Sequence, residues 1–285
     1  RLCVWTFVVG VATGLVAALL VFMLHGIENL VYGQHEGVNP VVTDGTTGMQ
    51  RFLGITVAGL IAGPAWWAVR RFGRPIQSVE DGMSGARMPV VETLVNVFLQ
   101  MATVAAGASV GRENAPREAG AIMATQLARR IGLDRNTTSL LVAAAAGAGL
   151  GAIYHIPLAG AVFAFEILLT TVTVRAVMVV LACSAVATIT AGIVVGDQPL
   201  YSTVPLSEGF GNLTVAVALG IVCGIAGLAF RHAASTAEAT APKGVHILWA
   251  LPLAFVIVGA MSLQLPEVLG NGRSAATSVL EGTPM

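Results

Sequence analysis

Seven stretches of this chain are apolar over about the 20 residues that a helix needs to cross the hydrocarbon core of a bilayer. They are 3–31, 52–69, 88–110, 138–153 continuing into 157–174, 176–195, 211–230 and 245–265. Backbone polar groups in lipid must be satisfied within their own segment, so runs of this kind fold as helices. Composition points the same way. Hydrophobic residues make up 55% of the chain and charged residues 11%, against about 25% charged in soluble domains, and the mean hydropathy is +0.81. An all-α polytopic membrane protein is expected. The formal net charge is zero and no basic tract occurs, so no nucleic-acid partner is expected and membrane lipid is the surrounding medium. Cys3, Cys183 and Cys223 all lie inside apolar runs without paired spacing. They read as core residues, with no metal or cofactor called for. The first apolar run is too long for a signal peptide and ends in no small-residue cleavage site, so it reads as the first spanning helix.

Charge placement gives an orientation. Loop 32–50 carries Glu36 and Asp44 and loop 196–210 carries Asp197 and Glu208, with no basic residue in either. Arg70, Arg71 and Arg74 cluster after the second run, Arg129, Arg130 and Arg135 cluster later, and Arg231 and Lys243 flank the break after 211–230. The positive-inside rule places the acidic loops outside and the arginine clusters in the cytoplasm.

The chain also resembles itself. GVATGLVAALLVFMLHGIENL from Gly10 lies over GIVCGIAGLAFRHAASTAEAT from Gly220, pairing Gly10 with Gly220, Gly14 with Gly224 and Glu28 with Glu238. Further on, GRPIQSVEDG (73–82) resembles GRSAATSVLEG (272–282) with one residue inserted. The first copy starts inside and the second outside. Inverted repeats of this kind are a recurrent transporter plan, with the substrate site at broken helices near the midplane. Simple glycine-rich helix packing is the alternative source of the match. The repeat reading divides the chain into 1–196, a first membrane repeat, and 197–285, the start of an inverted second one. Roughly 110 to 120 residues of a full second copy are then absent, so the chain reads as a fragment.

Within this apolar chain, GASVGRENAPREAGA (107–121) sets Arg112, Glu113, Arg117 and Glu118 within seven positions. Gly107 and Gly111 precede the charges, and Pro116 suits the first turn of a helix running on through Arg130. The stretch therefore reads as helix, break, then helix N-terminus. Such an end presents unpaired N–H groups and partial positive charge, which suits an anion. Glu113 at its mouth is placed as a tethered anion that competes with a permeating one and leaves when protonated. The bland alternative is a structural pair of Glu113 with Arg112 or Arg117. Arg117 and Glu118 either neutralise each other across the first turn or alter how the gate titrates. A second break falls at Tyr154-His155-Ile156-Pro157, with Pro157 opening the next helix and His155 read as a hinge residue rather than a metal ligand. Glu166 lies further along that otherwise apolar helix.

These residues resemble the CLC family of chloride channels and chloride/proton exchangers, prokaryotic type. Gly111-Arg112-Glu113 match the start of that family's GREGP motif, while Asn114-Ala115 replace the Gly-Pro and Pro116 follows one place late. AAAAGAGLGAIYHIPLAGAVFAFE (143–166) matches the family's small-residue helix, its Pro-Leu-Ala-Gly turn and the Glu-ended helix after it. Gly73-Arg74-Pro75-Ile76-Gln77-Ser78-Val79-Glu80 can be laid on its GSGIP-x-V-E segment, with Arg74 where the family has an anion-contacting serine. Gly85-Ala86-Arg87-Met88-Pro89 is a rival placement.

The resemblance implies a CLC-type fold of broken and tilted helices with its second repeat truncated. It implies transport of chloride or a similar small anion by a channel, or exchange of that anion for protons, and not an enzyme. It makes Glu113 the gate, with Arg112, Glu113, Asn114, Gly73, Arg74 and Pro75 around the anion and Gly111, Pro116, His155, Pro157, Glu166 and Ile167 in the helix-break motifs. Ile167 stands where exchangers carry a second glutamate, which puts the usual proton route in doubt. A homodimer in the cell membrane, the bacterial inner membrane, is also implied. The rival from another class is an intramembrane serine hydrolase, because Gly107-Ala108-Ser109-Val110-Gly111 satisfies G-x-S-x-G and His155 is available as its base.

Overall fold

The computed structural model describes residues 2–35, 45–169, 171–196 and 210–281. Expectations resting on Arg1, Glu36, Asp44, Asp197, Glu208 and Gly282 lie outside the described residues. The described residues form helices joined by short loops. These are α1 (Leu2–Tyr32), α2 (Gly48–Phe72), α3 (Val79–Met83), α4 (Val90–Ala105), α5 (Asn114–Ile131), α6 (Arg135–Tyr154), α7 (Pro157–Phe163), α8 (Val174–Val195), α9 (Phe210–Thr240), α10 (Ile247–Met261) and α11 (Arg273–Glu281). Six are long and apolar enough to cross a membrane: α1, α2, α6, α8, Leu213–Thr240 of α9, and Gly244–Met261 spanning α10. This is a multi-pass, all-helical membrane fold.

One expected run, and the continuation of another beyond Pro157, do not form spanning helices. The run 88–110 is helical only over Val90–Ala105, 16 residues, about 24 Å at 1.5 Å per residue. The run after Pro157 is α7, a π-helical turn over Ala164–Leu168, and then extended chain at Leu169. Both are interrupted where the break motifs stand.

Helix ends are fixed by local chemistry. Thr47, Asp134 and Thr173 accept hydrogen bonds from Gln50, Thr137 and Ala176, capping α2, α6 and α8. Each thereby satisfies a first-turn amide that the helix itself leaves unpaired. Thr137's hydroxyl and its amide hold the Asp134 carboxyl below the usual carboxylate range. Arg70 and Arg71 end α2, and Arg129 and Arg130 end α5, at the negative pole of each helix dipole.

The core is built from α6. Residues Ala143 to Ala146, Ala148 and Ala152 are completely buried, and α1, α5, α7 and α8 pack around them. Small residues let backbones approach: a Cβ on Gly120 would lie 2.3 Å from the Ala145 carbonyl, one on Gly149 2.2 Å from the Pro116 carbonyl, and one on Gly147 2.3 Å from the Gly160 carbonyl. Such contacts carry helix association where lipid supplies no hydrophobic drive. The glycines on which the repeat was read behave differently in its two copies. A Cβ at Gly10 would strike Val186 and one at Gly14 would strike the Ala187 carbonyl, whereas Gly220 and Gly224 face open space. Residues Leu213 to His246 are exposed throughout, so α9 shows apolar side chains on all sides.

Candidate functional site

The break between α4 and α5 is anchored by three hydrogen bonds from two directions, α1 and the segment 266–270. Tyr32 Oη, at the end of α1, donates to the Ala106 carbonyl at 2.9 Å. The Gly270 amide donates to the Gly107 carbonyl at 2.9 Å, and Ser109 Oγ donates to the Val268 carbonyl. Gly107 has φ +101°, and a Cβ there would lie 2.5 Å from Tyr32 Oη. Both the conformation and the close approach require glycine.

Helix α5 then starts at Asn114 with Glu113 at its N-cap, but the Glu113 side chain makes no capping hydrogen bond. The carboxylate folds back instead. A Cβ on Gly111 would sit 1.6 Å from Glu113 Oε2, so a side chain at 111 would push the carboxylate out of this position. Tyr154 Oη, from the last turn of α6, donates to Glu113 Oε1 at 2.7 Å. Arg112 is buried, and its guanidinium carbon lies 5.0 Å from the centre of the Tyr154 ring, within cation–π range. Gly111, Glu113 and Asn114 are exposed. The first turn of α5 is thus a positive helix end without a side-chain cap and with a carboxylate beside it. Pro116 occupies its third position and packs through its carbonyl on Gly149.

Gly73, Arg74 and Pro75 lie in the loop between α2 and α3. The Gly73 amide closes α2 on the Val69 carbonyl at 2.9 Å, and the Arg74 amide donates to Glu92 Oε1 at 3.0 Å. Pro75 has no amide proton to give. The first turn of α3 is closed by a capping box between Ser78 and Asp81. The amides of Gly73 and Arg74 are thus engaged within the protein. In the rival placement, Gly85 forms a turn at φ +96°, and the Met88 carbonyl accepts from Gln126 Nε2 at 3.2 Å.

At the second break, His155 ends α6 in the left-handed conformation, φ 56° and ψ 35°, and the amides of His155 and Ile156 both return to the Gly151 carbonyl. This is the usual way a helix stops with its last carbonyls satisfied, although glycine or asparagine is the common occupant. Pro157 opens α7, and Ser184 Oγ on α8 donates to its carbonyl at 2.7 Å. Glu166 and Ile167 fall in the π-helical turn and are both exposed.

Sequence reasoning missed a cluster behind α5. Arg117 and Glu118 do not face each other: the Arg117 guanidinium lies 4.5 Å from the Phe163 ring centre, while Glu118 is buried among Asn96, Gln100 and Asn114. The available signal was Asn96 and Gln100, two carboxamides four residues apart on an apolar helix. They share a face and need a polar partner when buried. Tyr154 was visible as a hinge residue but not as the partner of Glu113, because that contact joins residues 41 positions apart.

Multiple spanning helices, two interrupted helices and an uncapped helix start with a carboxylate at its mouth make this a polytopic membrane protein with a polar site at a helix break. A model of the family described as "Voltage gated chloride channel" matches residues 58–285. The chain belongs to that family. It is similar to the voltage-gated ClC-type chloride channel ClcB of Salmonella typhimurium, 28% identical over all of this chain and 70% of that one. The ClcB of Yersinia pseudotuberculosis is 31% identical over 87% of this chain and 62% of its own length. Among solved structures, a slow cyanobacterial Cl⁻/H⁺ antiporter covers the whole chain with TM-score 0.81 at 18% identity, and 69% of that chain is matched. A CLC-type fluoride/proton antiporter gives 0.74 at 17% identity, again over the whole chain and 70% of its own. The last two comparisons show the fold.

Proposed function

We propose that this chain is part of a multi-pass anion transporter of the cell membrane, in which the start of α5 holds the permeating anion and Glu113 is its gate. The observation that carries the proposal is the start of α5, with no side-chain cap and with the Glu113 carboxylate folded against Gly111 beside it. The amides of Arg112, Glu113 and Asn114 are the donors on this side. Each is a fixed dipole aimed at negative charge, so binding needs little reorganisation. While ionised, Glu113 competes for the same positive field. Protonation removes that attraction, Tyr154 releases the carboxyl, and an anion takes its place. The amides of Gly73 and Arg74 are engaged elsewhere and Pro75 has none, so a role for this segment rests on the Arg74 guanidinium, which is exposed.

The cargo is chloride or a similar small anion, the chemistry named for the relatives in both comparisons. Ile167 supplies no titratable group beside Glu166, so any coupled proton reaches Glu113 by another path. Two repeats, 1–196 and 197–285, belong to this reading. They are supported by the recurrence of long helix, second helix and short helix in α1–α3 and α9–α11. A homodimer and a bacterial inner-membrane location are part of the proposal by family likeness. The hydrolase alternative finds no support among the family and the relatives, and Ser109 Oγ is engaged with the Val268 carbonyl.

The test is chloride efflux from liposomes holding the full-length protein, with fluoride and nitrate run alongside. Efflux well above protein-free vesicles is expected. Ser109→Ala should leave turnover within about threefold and cost roughly 1 kcal/mol of stability, the net worth of one hydrogen bond. Absence of efflux for every anion would overturn the proposal.

A further inference from the structure

Glu118 has no part in the gate as described, yet it organises the polar contacts behind it. Asn96 Nδ2 donates to Glu118 Oε2 at 2.8 Å and Asn114 Nδ2 donates to Oε1 at 2.6 Å. Gln100 Nε2 reaches both oxygens at 3.3 and 3.4 Å. Asn114 Nδ2 also donates to Gln100 Oε1 at 3.1 Å, and Trp66 Nε1 on α2 donates to Asn96 Oδ1 at 2.9 Å.

The orientation of every amide in this set follows from the two ends. An indole N–H is a donor only and an ionised carboxylate an acceptor only. Trp66 therefore fixes the oxygen of Asn96 toward α2, which turns its NH₂ to Glu118. Glu118 draws the NH₂ groups of Gln100 and Asn114, leaving the Gln100 oxygen to accept the second proton of Asn114. One arrangement satisfies all five side chains, and it needs an acceptor at both Glu118 oxygens. Asn114 is the first residue of α5, and its side chain has both N–H bonds committed.

We propose that Glu118 is a positioning residue for the anion site. By pinning Asn114 to α4, it sets the direction of the first amides of α5, and its charge, about 6 Å further along the helix at 1.5 Å per residue, tempers their positive field. This rests on the reading that the start of α5 holds the anion. Arg117, on the face toward Phe163, contributes nothing to this network.

The test uses the full-length protein in liposomes, with chloride flux measured against chloride concentration and normalised to folded protein by thermal melting. Glu118→Gln turns an NH₂ group into a cluster of donors and frees Asn114, so the maximal rate should fall about tenfold with a change in apparent KM. Asn114→Asp sets two carboxylates against each other and should do the same. The double variant Asn114→Asp with Glu118→Gln restores one carboxylate and one amide between the two positions and should recover most of the rate. A merely structural role predicts a lower melting temperature with rate and KM per folded protein unchanged, which would overturn the proposal. Loss without rescue in the double variant would also overturn it. If Glu113→Gln changes neither proton coupling nor the acid dependence of flux, it is the anion-site reading that fails; if Glu113→Gln changes them and Glu118→Gln leaves rate and KM unchanged, only the positioning role fails.

Discussion

Glu113→Gln is expected to reduce any proton movement to the protein-free background while anion flux persists and loses its dependence on external acidity. Glutamine keeps the shape of the side chain and an oxygen able to accept from Tyr154 Oη, so the substitution isolates the charge. The parent carboxylate sits beside a helix start and accepts a hydrogen bond of 2.7 Å, and its ionised form is what that end attracts. A neutral amide is held less strongly, as charge-assisted hydrogen bonds are roughly twice as strong as neutral ones. The mutant site therefore spends more time open to an anion. Flux recorded with a pH probe inside the vesicle separates the outcomes. Proton coupling and acid dependence identical to the parent would remove Glu113 from the gate.

Gly149→Val should be the most damaging single change outside the break itself. The glycine faces the Pro116 carbonyl, and a Cβ would stand 2.2 Å from it, whereas ordinary contact begins near 3.4 Å. That oxygen is backbone in the first turn of α5, so it cannot swing aside as a side chain would. The first turn must move by about 1 Å, and overpacking of this kind costs roughly 1–3 kcal/mol. Displacements of that size at a reacting centre cost about a hundredfold in enzymes, and a comparable loss of flux is expected. Gly26→Ala is the control, because nothing lies within 4 Å of its Cβ position. It should leave flux unchanged, and normal flux in Gly149→Val would show that the α5–α6 contact does not hold the site.

Several of these features are local, and those were legible in the sequence. Apolar runs gave six spanning helices but also 88–110, which forms none; glycines and Pro116 gave the break before α5; Pro157 gave the start of α7. What stayed hidden depends on partners far along the chain. The anchoring of the break by Tyr32, Val268 and Gly270 joins positions that share no periodicity. The network around Glu118 depends on which face of α4 meets α5, and helical spacing alone does not fix that. The π-helical turn at Ala164–Leu168 also lacks a sequence signal, since Ala-Phe-Glu-Ile-Leu carries no glycine or proline to mark it. Turns of this type recur at functional sites, and this one carries Glu166.

The central claim is that an anion and the Glu113 carboxylate compete for the start of α5. The most direct measurement is anomalous scattering from bromide in crystals of the full-length protein, parent and Glu113→Gln, grown without chloride. A bromide peak about 3.3 Å from the amides of Arg112, Glu113 or Asn114, stronger in the glutamine variant, is expected for a large anion replacing an oxygen acceptor. Bromide absent from those amides in both proteins, or bound there equally in both, would contradict it.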